Sequence, residues 1–277
     1  MQEIIQDDLY NYPKYYDLVF GSDWGSELEF LKAAFAKHGS GKTRRLLEPG
    51  CGTGRLMYRL AQAGYQVAGN DLAAPAVEYC NDRLERHGFP RTAVVGDMCD
   101  FTVKDFPGPK KSAPKGPRKS APKFDAAFNM INTFRHLPSE DHARRHLECI
   151  AAALRKGGLY LLGLHLTPTR GEAMDEEHWH ARRGNLTVLS RLWTIEHNRR
   201  KRVDRVRMSF DVYTPTRSFR LVNCADFRIY TARHMADLLD SVADLEVVET
   251  YDFAYNIDRP IQIGPETEDV VYVLRKK

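Results

Sequence analysis

The residues of this 277-residue chain that could do chemistry converge on one glycine-rich turn and the acids that follow it. Leu46-Leu47-Glu48-Pro49-Gly50-Cys51-Gly52-Thr53-Gly54-Arg55 runs from apolar positions into three glycines on alternate places, and a helical pattern follows through Leu56, Leu60 and Ala63. Glycine lets a backbone turn sharply and lie against a ligand with no Cβ between them. A helix that starts there points its free N–H groups and positive dipole end at the ligand, which favours an anionic group such as a carboxylate. Tyr65 to Asp71 then reads as a strand ending in an acid about twenty residues past the loop, the offset of a ribose-binding carboxylate. Thr92 to Met98 reads as a further strand that ends Gly96-Asp97-Met98. Either Asp alone would read as a turn residue or helix cap. Both, on successive strand ends after such a loop, read as a nucleotide-type cofactor site.

Spacing excludes two common cofactor motifs. A dinucleotide fingerprint needs a third glycine where this chain has Arg55 or, in the other register, Met57. Gly39-Ser40-Gly41-Lys42-Thr43 looks like the end of a P-loop, but Ala36 stands where its first glycine belongs and the strand follows it instead of preceding it. The pattern E-x-G-x-G-x-G from Glu48 to Gly54 resembles motif I of the class I S-adenosylmethionine (SAM)-dependent methyltransferases, small-molecule branch, glycine N-methyltransferase-like or related. That resemblance extends over residues 44 to 165. It implies SAM held by Glu48, Gly50, Cys51, Gly52 and Gly54, with Asp71 and Leu72 at the ribose, Asp97 and Met98 at the adenine, and Met130 at the end of the fourth strand. In such enzymes a segment like Tyr15-Tyr16-Asp17 folds over the methionine end, so both tyrosines join the site; packing of the same rings on the core is the other reading.

The turn Asn132-Thr133-Phe134-Arg135-His136 resembles the acceptor-side turn of these enzymes, which nominates Asn132, Phe134 and Arg135 as substrate contacts. His136 and His165, at the ends of the fourth and fifth strands, are the candidate catalytic bases, each also readable as a hydrogen-bonded structural residue. Methyl transfer asks little else of side chains, because alignment of the nucleophile can supply several kcal/mol, up to about 7–11. The Asn/Asp-Pro-Pro-Tyr/Phe signature of many amide and base methyltransferases does not follow Met130. A small-molecule acceptor methylated at nitrogen or oxygen is therefore expected, with an RNA methyltransferase or a non-catalytic SAM-binding protein as alternatives.

The elements that must position these groups are those of an α/β fold: a doubly wound, seven-stranded, mostly parallel sheet carrying an inserted antiparallel β lid. Helices are expected over Trp24 to Lys37, over Ser139 to Leu154 with Ser139 as N-cap, and after Thr231. Phe124 to Ile131 and Leu159 to His165 read as the fourth and fifth strands, Leu245 to Tyr251 and Val270 to Leu274 as the last two. Asn185 to Ile195, Val203 to Tyr213 and Arg217 to Val222 are strand-like but fit no βα unit. This divides the chain into a SAM-binding core, 1–165 and 227–277, and a substrate lid, 166–226.

Composition narrows the partners. Residues 107–123 carry six basic residues and no acid, and without them the formal charge of +4 becomes −2. The segment reads as a flexible surface loop. A basic balance confined to one loop argues against a nucleic-acid surface, which needs cations on the folded body. Arg199 to Arg202 reads as a solvated hairpin tip. Five scattered cysteines suggest neither a disulfide framework nor a zinc site, and His178-Trp179-His180 has no third ligand at metal spacing, so no metal is expected. Met1 to Asp8 lacks the regions of a secretory signal and no apolar run reaches membrane-spanning length, so a soluble cytoplasmic protein is expected.

Overall fold

A computed structural model describes residues 3–108, 122–170 and 176–277. The basic loop expected over 107–123 lies outside the described residues except for its ends. In chain order the elements are β1 (Glu3–Gln6), α1 (Pro13–Phe20), α2 (Gly25–His38), β2 (Arg45–Pro49), α3 (Arg55–Gln62), β3 (Gln66–Asp71), α4 (Ala74–Arg86), β4 (Ala93–Val95), β5 (Phe124–Asn129), α5 (Glu140–Ala153), β6 (Leu154–His165), β7 (Glu176–Arg183), β8 (Leu186–Asn198), β9 (Val203–Tyr213), β10 (Ser218–Arg228), α6 (Ala232–Asp240), β11 (Leu245–Tyr251) and β12 (Asp269–Lys276). Short 3-10 turns cover Leu9–Asn11 and Thr133–His136.

Seven strands form the main sheet in the order β11-β12-β6-β5-β2-β3-β4, and only β12 runs against its neighbours. The inner strand β2 is buried along its whole length, as a strand covered on both faces must be. Leu46 and Leu47 point to opposite sides. Leu46 joins Phe30, Leu31, Leu56 and Leu84 under α2, α3 and α4, whereas Leu47 joins Leu147, Ile150 and Leu238 under α5 and α6. From β2 the chain builds outward through β3 to β4, then returns to place β5 on the other side of β2. The strand order reverses there, so the carboxyl end of β2 opens onto a crevice where ligands bind in open α/β sheets.

The second sheet has the order β1-β10-β9-β8-β7. Its core holds Val188, Met208, Phe210, Val212, Phe219 and Leu221, against which Leu18 and Val19 of α1 pack. Three of its strands follow the expected strand-like stretches, with β8 and β10 running several residues further. Two were not expected. β7 is half exposed and mostly polar, and β1 is a four-residue strand from the chain start that pairs in parallel with β10. The Arg199–Arg202 tip is not wholly solvated either: Arg202 turns back at φ 57° and donates to Glu140 of α5 at 2.8 Å.

Caps and buried polar pairs fix the remaining geometry. Ser139 caps α5 and Thr231 caps α6. His146 of α5 is fully buried, bridging the Met98 carbonyl through Nδ1 and the Tyr160 hydroxyl through Nε2, both at 2.8 Å. Burial pushes its pKa down to about 4, so it is neutral in the folded protein at pH 7. No described helix is long and apolar enough to cross a membrane.

A folded pKa below the ordinary value near 6.5 means that the unfolded chain binds the proton first. The contribution of His146 to stability is complete above pH 6.5 and is lost as the pH falls from there toward 4, by up to about 3 kcal/mol. Urea unfolding between pH 7 and 4.5 should show this decline, and His146→Gln should flatten it.

Candidate active site

Each glycine of the loop after β2 has its own reason to lack a side chain. Gly50, Gly52 and Gly54 have φ of 64°, 49° and 70°, the left-handed region that costs other residues strain. A Cβ at Gly50 would lie 2.4 Å from Thr133, and one at Gly54 would lie 2.2 Å from the Cys80 sulfur. A Cβ at Gly52 would meet nothing within 4 Å. Gly50 and Gly54 are therefore packing glycines, and Gly52 is the one that faces open space.

That space is a cleft of about 480 Å³ beyond the carboxyl ends of β2 and β3, with Gly50, Gly52, Asp71, Leu72 and Met98 among its lining residues. Asp71 Oδ2 accepts the Gly52 N–H at 2.8 Å and Oδ1 accepts the Ala73 N–H at 2.9 Å. Burial raises its pKa, and these backbone donors oppose the rise. Leu72 is 72% exposed, an apolar side chain held open at the cleft wall. Asp97 stands between two lining residues, Gly96 and Met98, with Oδ1 accepting the Cys99 N–H at 2.8 Å.

Glu48, Cys51, Gly54 and Met130 support the loop from behind and are not among the residues lining the cleft. The Cys51 N–H donates to the Asn70 carbonyl at 2.9 Å, and Met130 packs in the core beneath α2 and α3. Glu48 is buried, and its Oε2 has no partner. Burial holds its carboxyl well above the usual range, although Arg55 opposes the shift. Arg55 itself is committed to Glu27.

The N-terminal segment covers the cleft with Asp8, Tyr10, Asn11, Pro13 and Tyr16. Of the tyrosine pair only Tyr16 reaches it. Tyr15 corrects the cofactor reading in favour of the packing one: one step along α1 turns its ring away, edge-on to Phe219 of the second sheet at 5.8 Å. Tyr10, which the sequence did not single out, places its hydroxyl 3.1 Å from His136 Nε2. Burial, with Arg135 beside it, pushes the His136 pKa down to about 4.

His165 does not share the cleft with His136. It lines a separate cavity of about 80 Å³ with Asn132, Arg135, Glu177 and Glu268, and its Nδ1 lies 2.6 Å from Asp269. Arg135 is bound there to Asp204 at 2.8 Å. Phe134 is also a correction: it is fully buried against His146 and Tyr230, with no surface to offer a substrate. Before this turn, Ile131 and Asn132 have φ of 52° and 63°. For a β-branched residue that is strained backbone of the kind found at functional sites. It is held by Asn132 N–H to the Gly163 carbonyl at 3.2 Å and by the His165 N–H to Asn132 Oδ1 at 2.8 Å.

Residues 46–108 match a family described as a methyltransferase domain. The matched stretch contains the glycine loop, Asp71 and Asp97. Its whole fold is similar to a SAM-dependent methyltransferase from Clostridium acetobutylicum, with a TM-score of 0.73 at 15% identity, over 97% of this chain and 99% of that one. It is also similar to an amino pentose methyltransferase of calicheamicin biosynthesis from Micromonospora echinaspora, solved with SAM bound, at a TM-score of 0.66 and 18% identity over 100% of both chains. At such identities the likeness is one of fold, and the fold is that of the class I methyltransferases. A stretch of 76 residues is 37% identical to ribosomal RNA small subunit methyltransferase C of Alcanivorax borkumensis, 27% of this chain and 23% of that protein. The chain spans less than half the length of the curated relatives it matches.

The loop does not need its glycines equally. Gly54→Ala should destabilise the fold by about 2–4 kcal/mol through the buried Cys80 contact, and Gly52→Ala by only about 1–2 kcal/mol through its φ. Denaturant midpoints of the two variants measure the difference.

Proposed function

We propose that this chain is a SAM-dependent methyltransferase that moves the methyl group to a nitrogen or oxygen of a small-molecule acceptor. The observation that carries the reading is the Gly52–Asp71 pair facing a ligand-sized cleft at the switch point of the sheet. Asp71 keeps acceptor capacity for two ribose hydroxyls, and Leu72 and Met98 offer apolar faces for an adenine. Glu48 stands behind the loop and supports it, outside the lining of the cleft. When bound, SAM supplies an already activated methyl group on a sulfonium. What remains for the protein is alignment and exclusion of water, which Tyr10 and Tyr16 can provide. His136, neutral and on the cleft wall, is the group that would accept a proton from the acceptor; His165, Asn132 and Arg135 lie on its far side, in the smaller cavity.

A small acceptor is favoured because the N-terminal segment crowds the cleft mouth. Proteins of similar fold are described as an amino pentose methyltransferase and as a sugar N-methyltransferase from Streptoalloteichus. We assign 1–165 and 227–277 to the cofactor-binding core and 166–226 to a substrate subdomain, with β1 reaching across to the latter.

Titration calorimetry should detect SAM binding, weakened about 10–100-fold by Asp71→Ala, which removes charge-assisted hydrogen bonds. A methyl-release assay over amines, phenols and RNA should respond to a small molecule; turnover on RNA alone would overturn the acceptor class. Because protonated His136 cannot accept a proton, the rate on an acceptor that does not itself titrate below pH 7 should hold steady as the pH falls from 7 and drop only near 4. His136→Asn should lower the rate by about 10²-fold if the imidazole takes the proton.

A further inference from the structure

Asp17 lies in α1, is 3% exposed, and lines no part of the cleft. Its carboxylate nevertheless collects three polar contacts, from the glycine loop and from α4. Oδ1 accepts the Thr53 hydroxyl at 3.1 Å; Oδ2 accepts the Tyr79 hydroxyl at 3.1 Å and is ion-paired with Arg83. Arg83 closes the ring by donating to the Thr53 carbonyl at 3.3 Å. Thr53 is the residue between Gly52 and Gly54, so both its side chain and its backbone oxygen are fixed from α1 and α4.

The same helix belongs to the segment that roofs the cleft. Pro13 and Tyr16 of α1 line it, and the residues before them are tied to the second sheet by the β1–β10 pairing, by Asp7 N–H to the Val222 carbonyl at 3.2 Å, and by Asn223 Nδ2 to Asp8 Oδ1 at 3.2 Å. One end of the roof is therefore anchored on the second sheet and the other on the glycine loop. The second anchor is a buried ion pair, a poor source of stability compared with apolar packing, because two charges must be desolvated to make it. What it supplies is direction: three donors with fixed geometry on one carboxylate.

We infer that Asp17 is a positioning residue for the cofactor cleft, the latch that holds the roofing segment 8–16 and the Gly52–Thr53–Gly54 turn in one arrangement. The inference rests on the reading of the cleft as a SAM site. Without the latch, the loop amides and the roof would have to be ordered by the cofactor itself, and that ordering would be drawn from its binding free energy.

The test compares Asp17→Asn with the double variant Asp17→Asn/Arg83→Gln, in which no unpaired guanidinium is left buried and folding is protected. Calorimetry with SAM should show affinity lost about tenfold or more in both. Hydrogen exchange without ligand should quicken in residues 3–20 and 50–54 while β5, β6 and α5 keep their protection. Combined with Tyr16→Ala, the loss should be less than additive, since both act through the same roof. A stable double variant that binds SAM within about twofold of the wild type, or strict additivity with Tyr16→Ala, would overturn the inference. Failure of the wild-type chain to bind SAM would instead overturn the cofactor reading, and the latch with it.

Discussion

The hydrogen bond from the Gly52 amide to the Asp71 carboxylate is the constraint on which the rest of the site depends. It can form only if β2 and β3 are parallel neighbours in the register that sets Glu48 against Gly69 and Pro49 against Asn70. Gly69 makes that register possible, since a Cβ there would lie 2.7 Å from the Glu48 carbonyl and 2.8 Å from Cys51 Cβ. The strand ends then bring a half-buried acid to a turn whose amides need an acceptor. The turn gains an anchor, and the acid is kept at the cleft wall instead of being lost to solvent or to a cation.

Around that contact the molecule separates holding from closing. The main sheet supplies groups carried at its strand ends: loop amides, Asp71, Leu72 and Met98, the last tied through its carbonyl to His146. The second sheet and the N-terminal segment supply groups that approach from outside: Asp8, Tyr10 and Tyr16 over one cavity, Glu177 and His197 beside another. The 3-10 turn from Thr133 to His136 stands between the cavities. At three residues per turn its successive side chains point about a third of a circle apart. Phe134 enters the core, Arg135 the smaller cavity, and His136 the larger.

That geometry explains which parts of the site were legible in the sequence. Glu48 to Arg55 and Asp71 were readable because glycine spacing and an acid at a strand end are local signals, and the sheet followed from the order of apolar runs. The division of labour among Gly50, Gly52 and Gly54 was not, because Thr133 and Cys80, which decide it, lie far along the chain. Phe134, Arg135 and His136 were grouped because they are adjacent, yet adjacency on a tight turn disperses side chains. Tyr15 and Tyr16 part on α1 for the same reason. β7 escaped notice because its outer face is charged, and β1 because four residues carry no period; β7 is defined by the strand that follows it and β1 by one more than two hundred residues away, not by their own composition.

The central claim is that this cradle receives an adenosyl group. The most direct measurement is a crystal structure of the chain with S-adenosylhomocysteine. The account predicts both ribose hydroxyls on the Asp71 carboxylate and the adenine flanked by Leu72 and Met98. A ribose turned away from Asp71, or the ligand lodged instead in the cavity lined by Arg45, Tyr65 and Phe89 at the opposite ends of the strands, would contradict it.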